Sequence, residues 1–228
     1  MHIPNGFLND NLAGGLLAGS IVMLGYCLNK ILKTVTVTLG SLTDNISGTN
    51  LGLQSLGFRE NTSKYFQHWA LIALWVFAFQ MFNIPVTTAT SAHLLGGVFA
   101  AILVGPFAGF TIMSFVLVIQ SLFFSDGGIL AVGANILNMA FIGSFLSYYV
   151  YKAFSIKSHC FGIFVACFFS VMTASLVCLV ELGLSGSIIF STAFKNMMSL
   201  HLGVACLETL ITVVLLKIFT SINGKSHE

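Results

Sequence analysis

The residues most able to do chemistry stand at the start of the chain, where Met1-His2-Ile3-Pro4-Asn5-Gly6-Phe7-Leu8 sets a terminal amine beside an imidazole. The Met1 amine, the deprotonated main-chain nitrogen of His2 and the His2 ring nitrogen can close two adjacent chelate rings around one metal ion. One position of a square plane is then left for a further histidine. Nitrogen donors in a tetragonal plane suit Ni(II) and Cu(II) and fit Co(II) less well, whereas Mg and Ca prefer oxygen. A bulky His2 also favours retention of the initiator methionine, whose trimming needs a small second residue. The octet alone is equally what a start codon followed by a chance histidine leaves. The metal reading therefore depends on where the rest of the chain places a fourth nitrogen.

Every element available to position such a claw is an apolar helix. Of 228 residues, 57% are hydrophobic and 7% are charged, and mean hydropathy is +0.96, whereas soluble domains carry about 25% charged residues. The expected fold is an all-α integral membrane protein, a compact bundle of about seven transmembrane helices forming one domain over residues 1–228. Helix one is expected over 12–32. Residues 34–64 are polar, too hydrophilic to span, and read as a cytosolic connection. Helix two covers 66–82 and stops at Ile84-Pro85, where proline cannot continue the bonding pattern. A polar turn, Thr87 to Ser91, then delivers His93. The apolar run 94–124 would be about 47 Å long as one helix, against a hydrocarbon core of about 30 Å. It must reverse, and Gly105-Pro106 is the reversal that yields helices three and four. Helix five is expected over 129–154 and helix six over 160–180. A short amphipathic or re-entrant piece over 188–198 precedes helix seven at 200–219.

With seven spans the termini lie on opposite sides, and basic loop residues decide the orientation. If the N-terminus is outside, Lys30, Lys33, Arg59, Lys64, Lys152, Lys157, Lys217 and Lys225 fall inside, and Lys195 alone falls outside. That orientation, reached without the histidines, puts the Met1-His2 claw and His93 on one side of the membrane. His93 thereby becomes the candidate fourth donor, against the alternative of an interfacial histidine bonded to a neighbouring carbonyl. No Lys or Arg precedes the first apolar run, which argues against a cleavable signal.

Four further polar residues lie in apolar segments, where ionisable and amide groups are costly and face the bundle interior. His201 and Glu208 stand seven residues apart on one helical face, and Asn135 and Asn138 three apart on another. Each is either a helix-packing group or an outer partner that orients His2 or His93, since metal-bound histidines need a partner for the second ring nitrogen. Gln80 has the same two readings. Cys27, Cys160, Cys167, Cys178 and Cys206 form no CxxC pair and read as small buried hydrophobes.

The octet MHIPNGFL, the block TSAHLLGG (90–97) with LVGPFAG (103–109), DGGILAVGANILNMAFIG (126–143), ELGLSG (181–186) and HLGVACLETLIT (201–212) together resemble the CbiM/NikM family. Its members are the substrate-specific membrane subunits of cobalt and nickel energy-coupling-factor transporters. The resemblance implies that the N-terminus folds into the bundle from outside. It also implies that Ni(II) or Co(II), as the transported substrate, is held by the Met1 amine, the main-chain and ring nitrogens of His2, and His93, with no tightly held cofactor. Implied partners are a transmembrane coupling subunit and cytosolic ATPases, with room for a small accessory membrane subunit, in the inner membrane of a prokaryote. Asn5 stands where an acidic residue is usual, and Ala92 replaces a common glycine.

Other function classes fit less well. A net charge of +2 offers no nucleic-acid surface. A membrane metalloprotease would need an HExxH helix, which is absent from the sequence. Gly224-Lys225-Ser226 lacks the earlier glycine of a P-loop, so ATP hydrolysis must come from partners. A ligand-free channel or structural bundle predicts that blocking the N-terminal amine changes nothing. Vitamin-binding relatives of the same fold would want an aromatic or polar cluster that the chain does not offer.

Overall fold

The computed structural model describes the backbone of residues 1–44, 51–81, 84–87 and 90–224, and side chains outside 35–65, 82–90 and 220–228. Helices α1 (Asp10–Asp44) and α2 (Leu51–Gln80) come first, followed by strands β1 (Ile84–Thr87) and β2 (Thr90–Ala92). Then come α3 (Gly97–Val104) and α4 (Pro106–Ile119), the latter running on as a π-helical turn over Gln120–Phe124. A continuous helical body follows, with α5 (Val132–Asn135), a π-helical stretch Ile136–Leu146, and α6 (Ser147–Phe154). Helices α7 (His159–Leu184) and α8 (Phe190–Gly224) close the bundle and pack most extensively on each other.

Local chemistry sets several of these boundaries. Asn9 precedes α1, and its side-chain oxygen accepts the Leu12 N–H at 2.9 Å, an N-cap that satisfies one orphan donor. The expected reversal within 94–124 falls at Gly105, whose φ of 85° places it outside the helical range, with Pro106 opening α4. Helix α3 is only eight residues long, about 12 Å at 1.5 Å per residue. It packs against α4 and the π-helical stretch.

Among the described residues, four helical stretches are long and apolar enough to cross a membrane: Asp10–Thr34, Pro106–Phe124, His159–Leu184 and Phe190–Phe219. A shorter apolar helix covers Phe66–Gln80. Large apolar side chains such as Phe66, Ile21, Phe123 and Leu210 are exposed on the outside of the bundle, as lipid-facing positions require. The buried core runs from Phe99, Phe110 and Met113 through Met139, Val171 and Leu179, and it takes in Met1 and Ile3 from the N-terminal octet.

Three expectations are corrected. The polar stretch 34–64, expected as a connection, is helical in its described parts: α1 continues to Asp44 and α2 begins at Leu51, with 45–50 outside the described residues. These helical segments lack the apolar periodicity that would have betrayed them in the sequence. The separate piece 188–198 does not exist, because α8 runs unbroken from Phe190 through the expected break. The polar turn before His93 is an antiparallel hairpin, pairing Ile84 with Ala92, Pro85 with Ser91 and Thr87 with Thr90, with an irregularity between Pro85 and Thr87. Cys27, Cys167 and Cys178 are buried, as expected of small hydrophobes, but Cys160 and Cys206 are exposed.

Candidate metal centre

The octet is stitched into the bundle almost residue by residue. The Met1 amine donates to the Ser91 carbonyl on β2, and the Cys178 thiol of α7 approaches the Met1 carbonyl at 3.9 Å. Ile3 is clamped by Asn135: its N–H donates to Asn135 Oδ1 at 2.9 Å, and Asn135 Nδ2 donates to its carbonyl at 3.3 Å. Gly128 N–H donates to the same carbonyl at 2.8 Å. Asn5 Oδ1 accepts from the Leu130 N–H at 3.0 Å, so the residue that departs from the family pattern is engaged by the turn after α4. Ser187 donates to the Phe7 carbonyl, and Asn9 N–H reaches Ser185 Oγ at 3.2 Å. Met1 and Ile3 are fully buried, and His2 is 3% exposed.

This docking brings together the residues that the sequence singled out. The His2 and His93 rings lie 4.6 Å apart, centroid to centroid. His93 is 2% exposed, and its Nδ1 is 2.9 Å from the Leu94 carbonyl. An N–H at Nδ1 that donates to this carbonyl leaves Nε2 as a bare lone pair. His93 Nε2 and His2 Nε2 are both buried without a hydrogen-bond partner. Among the described residues no three His, Cys, Asp or Glu side chains form a metal cage. A donor set here must therefore draw on the amine and the main chain.

Asp126, which in the sequence stands only as the first residue of the block 126–143, places its Oδ1 2.6 Å from His2 Nδ1. Nδ1 is the ring nitrogen that can close a six-membered chelate with the His2 main-chain nitrogen. An ion entering the claw therefore has to take Nδ1 from Asp126. The available signal was that Asp126 is one of very few acids between the apolar spans on the side expected to be outside.

Glu208 and Gln80 fix the segment after His93. Glu208, 2% exposed on α8, accepts the Leu95 N–H at Oε2 and the Gly96 N–H at Oε1, each at 2.8 Å. Gln80 Nε2 donates to the Leu95 carbonyl at 2.9 Å. Glu208 thus bonds to backbone rather than pairing with His201. His201 Nδ1 lies 2.7 Å from the Met197 carbonyl one turn back, and its Nε2 is buried without a partner. Asn138 does not reach the octet; its Nδ2 donates to Glu181 at 2.6 Å. Of the four candidate outer residues, Asn135 holds the octet, Glu208 holds the His93 segment, and Asn138 lies elsewhere.

Burial governs the proton affinities at this centre. Loss of solvent holds the Met1 amine down at about 5, against opposing pulls from Cys178 and Asp126. The same desolvation lowers His2, with the Asp126 hydrogen bond acting against it. His93 is held well below the usual imidazole range by burial and then by the charges of the amine and His2, with His201 adding to them. Burial thus favours the uncharged forms of the amine and both rings, the state in which nitrogen lone pairs can bind a cation.

Comparison with known proteins identifies the family. The family described as "Cobalt uptake substrate-specific transmembrane region", CbiM, matches residues 2–225. A protein of Archaeoglobus fulgidus provisionally named as a fused nickel transport protein, NikMN, is 35% identical over 187 residues, 82% of this chain and 54% of its own length. The chain thus spans about half of that fused relative. Cobalt transport protein CbiM of Thermosipho melanesiensis is 31% identical over 161 residues, 68% of each chain. A solved structure described as a transition metal transporter superposes with a TM-score of 0.80 at 26% identity, covering 98% of this chain and 94% of the other. The chain belongs to the CbiM family of cobalt and nickel transport membrane proteins.

Proposed function

We propose that this protein captures Ni(II) or Co(II) on the outer face of a prokaryotic inner membrane, as the substrate-specific subunit of an ATP-driven energy-coupling-factor uptake system. It does no catalysis of its own and holds no cofactor. About seven spans, with the N-terminus outside, carry the ion as cargo, and a transmembrane coupling subunit with cytosolic ATPases supplies the energy. Four nitrogens bind the ion: the Met1 amine, the main-chain and Nδ1 nitrogens of His2, and His93 Nε2. The observation that carries this reading is the docking of the octet, which brings a buried amine, the buried His2 ring and the buried His93 ring with its unpartnered Nε2 to one place in a chain of this family.

The test is equilibrium dialysis of the purified protein against nickel and cobalt. Wild type should retain about one ion per chain, and His93→Ala should weaken retention at least about tenfold, since even outer partners of metal ligands contribute 10–100-fold. Equal binding by both proteins, or none by wild type, would sink the proposal.

The pH dependence has a definite shape. Binding releases the His2 amide proton, so affinity falls about tenfold per pH unit as the medium is acidified. Because burial holds the Met1 amine at about 5, that group adds no proton competition at neutral pH. Below about pH 5 it becomes protonated in the empty protein, and the dependence steepens. Isothermal titration between pH 4.5 and 8 should show this break, and a constant slope across the range would count against amine ligation.

A further inference from the structure

Residues 93–96 are fixed atom by atom from two helices that do not adjoin them in sequence. The His93 ring is tied to the Leu94 carbonyl, the Leu95 carbonyl to Gln80 of α2, and the Leu95 and Gly96 N–H groups to the two carboxylate oxygens of Glu208 on α8. Gly96 has a φ of 71°, the left-handed conformation in which successive N–H groups can converge on one anion. A carboxylate buried within a membrane segment is costly. Here each oxygen takes one charge-assisted bond. The same carboxylate could have been placed against any backbone for packing; it is placed two and three residues from the candidate ligand His93.

We propose that Glu208 is a positioning residue for metal capture: by clamping Leu95 and Gly96 it sets where His93 Nε2 stands relative to the Met1-His2 claw. The inference rests on the metal-binding reading above. Gln80 assists by fixing the carbonyl between the two clamped N–H groups. Helices α2 and α8 thus aim the fourth donor, although neither contributes a nitrogen to the claw. A glutamine at 208 would turn an NH2 group toward a backbone N–H, losing one bond and opposing two donors. His93 would then be released from its position while the helices remained.

The experiment is a nickel titration of wild type, Glu208→Gln, Gln80→Met, His93→Ala and the Glu208→Gln/His93→Ala pair, with the visible absorption of the bound nickel recorded for each. Folding is checked by circular dichroism. Glu208→Gln is expected to weaken nickel about tenfold or more and to move the nickel band toward that of His93→Ala. Gln80→Met should do the same more mildly, which preserves the test if the glutamine variant does not fold. In the His93→Ala background the Glu208 substitution should have no further effect, because its action passes through His93. A folded Glu208→Gln protein with wild-type affinity and band, or an undiminished effect without His93, would overturn the inference. If wild type itself binds no nickel, it is the metal-binding reading that fails.

Discussion

His2→Ala should lower nickel affinity on the order of a thousandfold, because it removes the imidazole arm of the chelate and with it the six-membered ring that shares the main-chain nitrogen at position 2. The octet can keep its place without the ring. Met1 stays anchored on Ser91 and Ile3 on Asn135 and Gly128, so the expected loss is of a donor and not of docking. Nickel retention measured by dialysis, with circular dichroism to show that the bundle persists, checks this. Wild-type retention would remove the octet from its central place.

Gly128→Ala should weaken metal binding by about five- to a hundred-and-fiftyfold, the range implied by roughly 1–3 kcal/mol of overpacking. A Cβ at this position would overlap the Asn5 nitrogen and the Pro4 carbonyl carbon, both backbone atoms of the octet. Neither can rotate aside. The Gly128 N–H also donates to the Ile3 carbonyl at 2.8 Å, so a shift of the turn breaks that bond too. Because the turn lies between helical bodies rather than within one, the expected loss is of docking and not of the fold. Nickel titration beside a thermal melt of the ion-free protein separates the two. An unchanged affinity would show that the octet tolerates displacement.

Much of this arrangement is legible in the residues, and the exceptions have physical causes. The apolar run 94–124 exceeds the membrane thickness, so its reversal at Gly105-Pro106 follows from length and backbone chemistry. His93 could be associated with the octet from the distribution of lysines alone. Helix over 35–44 and 51–64 was hidden because those residues have no apolar stripe. The expected separate piece over 188–198 is instead the start of α8, which runs unbroken from Phe190. Asp126 stood out only as one residue of a longer block, because its contact with His2 depends on how the octet docks, which the sequence does not show. Glu208 was recognised as polar and buried, yet its partners are main-chain N–H groups, which sequence cannot distinguish from one another.

The burial of the amine and of both imidazoles also governs time. His2 and His93 are 3% and 2% exposed and Met1 is fully covered, so an ion cannot diffuse onto the donors of the docked chain. The octet or the hairpin beside it has to open first, and the encounter is then gated by that local opening rather than by collision. Capture rate becomes insensitive to ion concentration once opening is the slower step. Under the proposed function, the same stitches would make the departure of a bound ion slow, so that its release would require the fold itself to be pulled open.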